Sequence, residues 1–371
     1  VPGDLDPASR LVWLKVMLAL AVAADFALSP KLWLSSRAYP LAPVWNGLPR
    51  ILFPWDHVVF AVLCALVAAI LMARQPRPYL IAFVGLTSAY SLWDQARWTP
   101  PVYQYVFMLA ALGFHPWRPG HLSTGEAVLN ACRVIIAATY LWTGLHKVNV
   151  TFMWETFPWM LRPLVGPLPE GFRGWPAPLG LGAALMEAGI GMGLLLRPTR
   201  PIAVLAAVTM HAFVLVSIGP LGHWWDTNVW PWNVATALLV VLLFWRTPEV
   251  GVGAIFAAPR CRFQWAVVAL FVVMPALSFV DLWDSYLSAE FYTGRTRRGV
   301  IQMTGEVRAA LPEEIRRHVT RSRSGDEVLD LMRWAFSERN VEPYPELRVF
   351  KATARELCRY SADPFAMTLV V

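Results

Sequence analysis

The side chains best able to do chemistry cluster between Thr139 and Glu155. An apolar run stops at Gly144, and His146, Lys147 and Asn149 follow within about one and a half helical turns. Burial disfavours an ammonium, so a lysine in an apolar pocket offers a neutral amine as base or nucleophile near pH 7. The competing reading is a lysine that snorkels to a membrane interface beside tryptophans, and Trp142 is close by. Gly144 would let another helix or a flat ligand approach the backbone. A second candidate is His211, inside an apolar helix and about midway through it. It must hydrogen-bond within a bundle or line a cavity.

Two further charges lie within apolar segments. Arg133 falls about 12 Å from one end of its helix, at 1.5 Å per residue. Glu187 falls at a similar depth on the next helix, which runs the other way. Two unpaired charges at that depth are costly, so a structural Arg133–Glu187 pair is expected; the alternative puts Glu187 in the reactive site. Metal and soluble-enzyme chemistry find no support. The chain has no phosphate-binding loop, no dinucleotide fingerprint and no zinc-type spacing. Its four cysteines, Cys64, Cys132, Cys261 and Cys358, give neither a metal set nor a disulfide framework. No metal is expected.

Composition decides what must position these groups. Of 371 residues, 57% are hydrophobic, 19 are Trp and only 15% are charged, with a mean hydropathy of +0.46. A soluble domain carries about a quarter charged residues. The fold class expected is an all-α polytopic membrane protein with a small soluble α+β domain at the C-terminus. The net charge of +7 is explained by basic loops flanking helices and needs no nucleic acid.

Apolar segments at 11–29, 56–74, 77–95, 101–115, 123–147, 178–196, 199–218, 230–246 and 263–282 predict about nine spans. The fourth is short. The first is taken as a membrane helix although Ala21, Val22 and Ala23 could pass for a signal-peptidase site, because Lys15 interrupts it. Pro30 to Trp55 is expected to lie along the interface. Ser123 and Glu126 form a capping box that starts the fifth segment. Phe152 to Pro169 is too broken by proline to span. Residues 1–282 thus form the membrane domain. Residues 283–371 form an extramembrane domain of about ninety residues, with helix patterns at 306–319, 325–340 and 344–360 and strands at 286–292 and 367–371. That domain could bind a protein partner.

Basic loop residues are more numerous on the side of the N-terminus, among them Arg74, Arg118, Arg197, Arg246 and Arg260, than opposite, where Lys31, Arg37, Arg50 and Arg173 lie. The positive-inside rule then puts the N-terminus in the cytoplasm and the C-terminal domain outside, in an inner or plasma membrane. In that arrangement three helix ends meet on the outer face. They bring Asp94 and Arg97, then His146, Lys147 and Asn149, then His223, Asp226 and Asn228.

The run Tyr140, Gly144, Lys147, Asn149 and Phe152 resembles the signature of the horizontally transferred transmembrane (HTTM) family, which includes the vitamin K-dependent γ-carboxylase. His211 followed by Ser217, Ile218 and Gly219 resembles a second motif of that family, and Asp94 to Tyr105 a third. The resemblance covers about residues 10–282. DoxX-like quinone-linked membrane proteins are a neighbouring possibility. The family resemblance implies an outward-facing apolar pocket that binds a reduced quinone of menaquinol or vitamin K type. In it a lysine matching Lys147 deprotonates the quinol. Oxygen then converts the quinol to a base strong enough to take a proton from a glutamate γ-carbon, to which CO2 adds. It further implies His211 and His146 as catalytic helpers, and Gly144, Asn149, Trp142, Arg97 and Asp94 around the cofactor. Two positions depart from the pattern. The family's aspartate in the lysine motif is Asn149 here, and Pro100 and Pro101 stand where the carboxylase has a catalytic histidine. What carries over is a lipid-soluble ligand near Lys147, with the substrate open.

Three functions follow as expectations: a carboxylase-like membrane lyase or oxidoreductase, a non-catalytic membrane subunit or scaffold, or a carrier. The carrier is least favoured, because the chain shows no inverted repeat.

Overall fold

A computed structural model describes residues 6–45, 47–117, 122–166, 178–247, 251–256, 262–322, 325–363 and 365–371. Arg118, Pro169, Arg173, Arg260, Cys261 and the Ser123 side chain of the expected capping box lie outside the described residues.

Helices dominate. They are α1 (Pro7–Leu28), the short α2 (Pro30–Trp33), α3 (Trp55–Met72), α4 (Arg77–Ser91), α5 (Pro100–Gly113), α6 (Leu122–His146), α7 (Phe157–Val165), α8 (Pro178–Leu195), α9 (Arg200–Ile218) and α10 (Val229–Phe244). A short α11 (Val252–Phe256) precedes α12 (Arg262–Val267), which continues as a looser and then a tighter helix to Val280. Pro275 in that last stretch has no N–H to give an α-helical bond. Among the described residues, six helical stretches are long and apolar enough to cross a membrane: α1, α3, α6, α8, α9 and Arg262–Val280. The chain is therefore read as an integral membrane protein. Helices α4, α5 and α10 are shorter, at 15, 14 and 16 residues.

Local chemistry sets several starts. The Asp6 carboxylate accepts the Ser9 N–H at 2.8 Å and Pro7 opens α1. Thr99 caps α5, whose first turn holds Pro100 and Pro101. Pro178 and Pro201 occupy first turns of α8 and α9, where a missing N–H costs nothing.

Helix α6 is the centre of the bundle and crosses α8 at very short range. A Cβ on Gly144 would lie 2.2 Å from the Ala188 nitrogen, and one on Gly191 would lie 2.5 Å from the Ala137 oxygen. Small residues thus bring two backbones together in a setting without a strong hydrophobic drive between helices. Of the two approaches that Gly144 was expected to permit, the structure uses the helix.

At one end of the bundle, cations bond the last carbonyls of neighbouring helices. Arg10 donates to the Leu242 carbonyl and, at 3.1 Å, to that of Trp245. Lys15 donates to Leu71 and Ala73 at 3.2 and 3.1 Å. Arg200 donates to Leu194 at 2.8 Å and Thr247 at 2.7 Å. Arg133 belongs to this set. It donates to Leu243 O at 2.9 Å and to Asn130 Oδ1 at 2.6 Å, and lies 3.3 Å from Glu126. The expected Arg133–Glu187 pair is therefore wrong. Helix C-termini carry orphan carbonyls and partial negative charge, and these attract the arginine.

The opposite end carries residues 283–371. A four-stranded antiparallel sheet has β1 (Val300–Met303), β2 (Val319–Arg321), β3 (Glu327–Asp330) and β4 (Met367–Val370) in the order β2-β3-β1-β4. Ile301 pairs with Leu329 on one side and Leu369 on the other. Helices α13 (Gly305–Ala310), α14 (Glu313–Arg316), α15 (Leu331–Arg339) and α16 (Leu347–Cys358) complete the domain. The expected helix over 306–319 breaks at Leu311 and Pro312 into α13 and α14 and ends as β2. The pattern over 325–340 divides where Asp330 ends β3 and caps α15 through the N–H groups of Met332 and Arg333. Residues 286–292 are not a strand; Tyr286–Ser288 form a short helical turn whose apolar groups pack on the bundle.

Residues 34–54 do not simply follow an interface. The Ala38 and Tyr39 N–H groups donate to Glu338 at 2.5 and 2.7 Å, and the Tyr39 ring packs on Trp334 at 4.6 Å. Tyr39 is part of the hydrophobic core of the C-terminal domain.

Candidate functional site

Lys147 stands just after the last residue of α6. Side chains near the end of a helix lean toward its N-terminus, and here that direction leads into the bundle. The amine accordingly turns inward. Lys147 Nζ donates to Glu187 Oε2 at 2.5 Å, and both side chains are about nine-tenths buried. The Phe152 ring lies 5.7 Å from the same nitrogen. Lys147 therefore does not snorkel to the membrane surface, and it is not an isolated amine. It is half of an ion pair. Glu187 reaches it because the close crossing at Gly144 sets Ala184 and Ala188, each within one turn of Glu187, against α6.

This pair lines a hollow of about 780 Å³, its open mouth included. Thr139, Tyr140, Thr143 and Lys147 reach it from one face of α6, at the spacing of successive turns. His211 comes from α9, Asn233 and Trp232 from α10, and Phe291 and Tyr292 from the chain after α12. Its rim includes the exposed Met186 and the half-buried Met210, Phe213 and Val214, on α8 and α9. The mouth therefore opens through the flank of the bundle, where lipid would lie, and most of the wall is apolar or aromatic.

His211 is held at both ring nitrogens. Asn233 donates its amide N–H to Val229 O at 2.8 Å, so its Oδ1 is the acceptor that faces His211 Nδ1 at 2.8 Å. The proton of a neutral ring is thereby placed on Nδ1, and Nε2 accepts the Tyr140 hydroxyl at 2.6 Å. Tyr140 is near enough to Glu187, and His211 to Lys147, for their charges to interact. The arrangement is a hydrogen-bonded chain from Tyr140 through His211 to Asn233, set beside the Lys147–Glu187 pair on the wall of one hollow.

Several expected site residues lie elsewhere. His146 is about 100° around the helix from Lys147. It stacks on Trp142 and lies 3.4 Å from Glu290 Oε1 and 3.4 Å from the Ser278 hydroxyl. The Trp142 indole N–H donates to Val272 O at 3.1 Å, and its ring lines a separate hollow of about 330 Å³. Asn149 is a cap: its amide donates to His146 O and Thr293 O at 2.7 and 2.8 Å, and its Oδ1 accepts the Phe152 N–H at 2.9 Å. Asp94 pairs with Arg37, and its Oδ1 accepts the Ala96 N–H at 3.2 Å. Arg97 is fully buried, bonded to the Tyr90 carbonyl at 2.5 Å and to those of Leu32 and Trp33 at 3.3 Å. None of these five side chains lines the Lys147 hollow. They hold loops and helix ends, because a buried polar group must find a partner wherever it lies. Gly144 likewise acts through the helix crossing.

The residues not anticipated are Tyr140 in a chemical role, Asn233, Trp232, Phe291 and Tyr292. Tyr140 had a signal in the sequence, since it stands two turns before Lys147 on the same face. Asn233, set alone in an apolar helix, was a weaker one. No family model, curated protein or solved structure matches the chain.

Proposed function

We propose that the chain is a membrane enzyme that works on a lipid-soluble ligand of the quinone class, held in the Lys147 hollow. The observation that carries this reading is an ion pair and a tyrosine–histidine–asparagine relay facing one apolar, ring-lined space. Flat rings suit the aromatic wall, and a quinone oxygen would find Lys147 and Tyr140 as polar partners. A reduced quinone there would supply reducing or, with oxygen, strongly basic chemistry. The protein's part is to orient the ligand, exclude water and present the Lys147 amine and the Tyr140 hydroxyl to it, with Glu187 holding the amine in place. This is the carboxylase-like reading drawn from the short motifs. The substrate is not assigned.

In this reading α4, α5 and α10 also cross the membrane, which gives nine spans. The N-terminus lies in the cytoplasm and residues 283–371 lie outside. The far-end cations, Arg10, Lys15, Arg133 and Arg200, are then at the cytoplasmic side.

Mass spectrometry of lipids and quinones that co-purify with the wild type tests it, beside Lys147→Ala and Val214→Trp. Quinone enriched in the wild type and depleted at least fivefold in both variants is the expected result. Equal quinone in all three would overturn it.

A further inference from the structure

A second hollow, of about 470 Å³ with its mouth, lies where the C-terminal domain meets the bundle. Asp226 and Asn228 reach it from the loop between α9 and α10, and Glu342 from just after α15. Pro100 and Pro101 at the start of α5 form part of its wall. Four rings complete it: Trp232, Tyr286, Phe291 and Tyr292. The two carboxylates accept only tyrosine hydroxyls among the bonds between side chains of the described residues, Asp226 from Tyr292 at 2.9 Å and Glu342 from Tyr286 at 3.0 Å. Among the described residues, neither carboxylate has a Lys, Arg or His nitrogen within ion-pair distance. Asn228 is 96% buried and its Oδ1 accepts no hydrogen bond.

We infer that this hollow is a binding site for an ammonium group, of the alkylated kind carried by choline or a methylated amine. Three features of one space point the same way. Aromatic faces attract a cation through the ring quadrupole, most strongly when water is excluded. Two carboxylates with no basic nitrogen of the described residues in ion-pair contact supply the counter-charge. An unpartnered buried amide oxygen supplies an acceptor for the hydroxyl of choline or the N–H of a partly methylated amine. A metal ion fits less well, since the described residues hold no group of three or more metal-ligating side chains. The hollow is distinct from the one at Lys147, although Trp232, Phe291 and Tyr292 stand in both walls. The proposal does not depend on the quinone reading.

The charge environment gives a signature. Burial, then the neighbouring Glu342, push the Asp226 carboxyl up to about 8, against the Tyr292 hydroxyl, which lowers it. Burial raises Glu342 too, opposed by the Tyr286 hydroxyl and by Arg298. A cation entering the site favours the ionised carboxylates, so it must displace a proton at neutral pH, and its affinity must rise from pH 6 to pH 8.

Isothermal titration of the full chain in detergent tests this with choline against its uncharged isostere 3,3-dimethylbutan-1-ol. Saturable choline binding is expected, at least tenfold tighter than the isostere, with proton release seen as a dependence on buffer ionisation heat. Asp226→Asn and Glu342→Gln should each weaken it about tenfold, while Asp281→Asn, an exposed carboxylate, should not. Repeating the titration in nanodiscs separates the sources of the ammonium. Loss of free-choline binding in phosphatidylcholine but not phosphatidylglycerol discs identifies a lipid headgroup, and equal binding in both identifies a soluble amine. Equal affinity for choline and the isostere, no binding of either, or choline affinity unchanged in both acid variants would overturn the proposal. Should Asp226→Asn fail to fold, Glu342→Gln and Tyr286→Phe decide it.

Discussion

Lys147 and Glu187 lie forty residues apart in the chain, yet the amine and the carboxylate meet at 2.5 Å where α6 crosses α8. Breaking a buried pair leaves one charge uncompensated, at a cost of about 3–5 kcal/mol, whereas replacing both partners with apolar groups is often near neutral. Lys147→Met should therefore lower stability by about that amount, and Lys147→Met with Glu187→Met should recover most of it. Thermal unfolding in detergent measures both. If the double variant is as unstable as the single, the pair is not the source of the loss.

The same crossing makes a sharper contrast among glycines. A Cβ on Gly144 of α6 would meet the Ala188 backbone at 2.2 Å, while one on Gly182 of α8 meets nothing within 4 Å. Gly144→Val should separate α6 from α8 and abolish a monodisperse protein on gel filtration. Gly182→Ala should be neutral or stabilising by up to about 1 kcal/mol, the usual helix preference for alanine over glycine.

The two hydrogen bonds of His211 fix its tautomer. Side-chain nitrogen chemical shifts should report a neutral ring protonated at Nδ1. Asn233→Leu removes the acceptor and should give a mixture of tautomers. Tyr140→Phe leaves Nε2 buried without a donor, and should cost about 1–3 kcal/mol of stability.

Asp226 lies outside the spans and gives a pH dependence whose sign can be worked out. Its folded carboxyl titrates at about 8, raised first by burial, above an unfolded value of about 3.9. Between these the folded state holds more protons, so stability from this group is complete below about pH 4 and is lost as pH rises through 8. Asp226→Asn should flatten the fall in unfolding temperature between pH 5 and pH 9.

Much of the helical layout was legible because membrane helices need long apolar runs, and runs leave a plain record. The short α5 was seen as short, and its start at two prolines is what that record implies. The site was half legible. Lys147 and His211 stood out as polar residues in apolar surroundings, and both line one hollow. Glu187 stood out as well, but with Arg133 as its expected partner and the reactive site only as the alternative; that it meets Lys147, and that Asn233 meets His211, follows from the three-dimensional crossing of helices. Depth along a helix placed Arg133 and Glu187 at a common level, but Arg133 was captured instead by the carbonyls ending α10. Residues 286–292 alternate like a strand, yet their tyrosines are placed to meet carboxylates and their apolar groups to meet helices. Alternation alone cannot tell those uses apart.

Tyr39 sits in the hydrophobic core of the C-terminal domain, although it lies far up the chain, between α2 and α3. A ribosome delivers this loop long before it delivers Trp334, so the early part of the chain must wait, with an aromatic side chain uncovered, until the last ninety or so residues emerge. Membrane insertion of the helices can proceed meanwhile. Closure of this end of the bundle is a late event, because Tyr39 and Trp334 reach their final packing together.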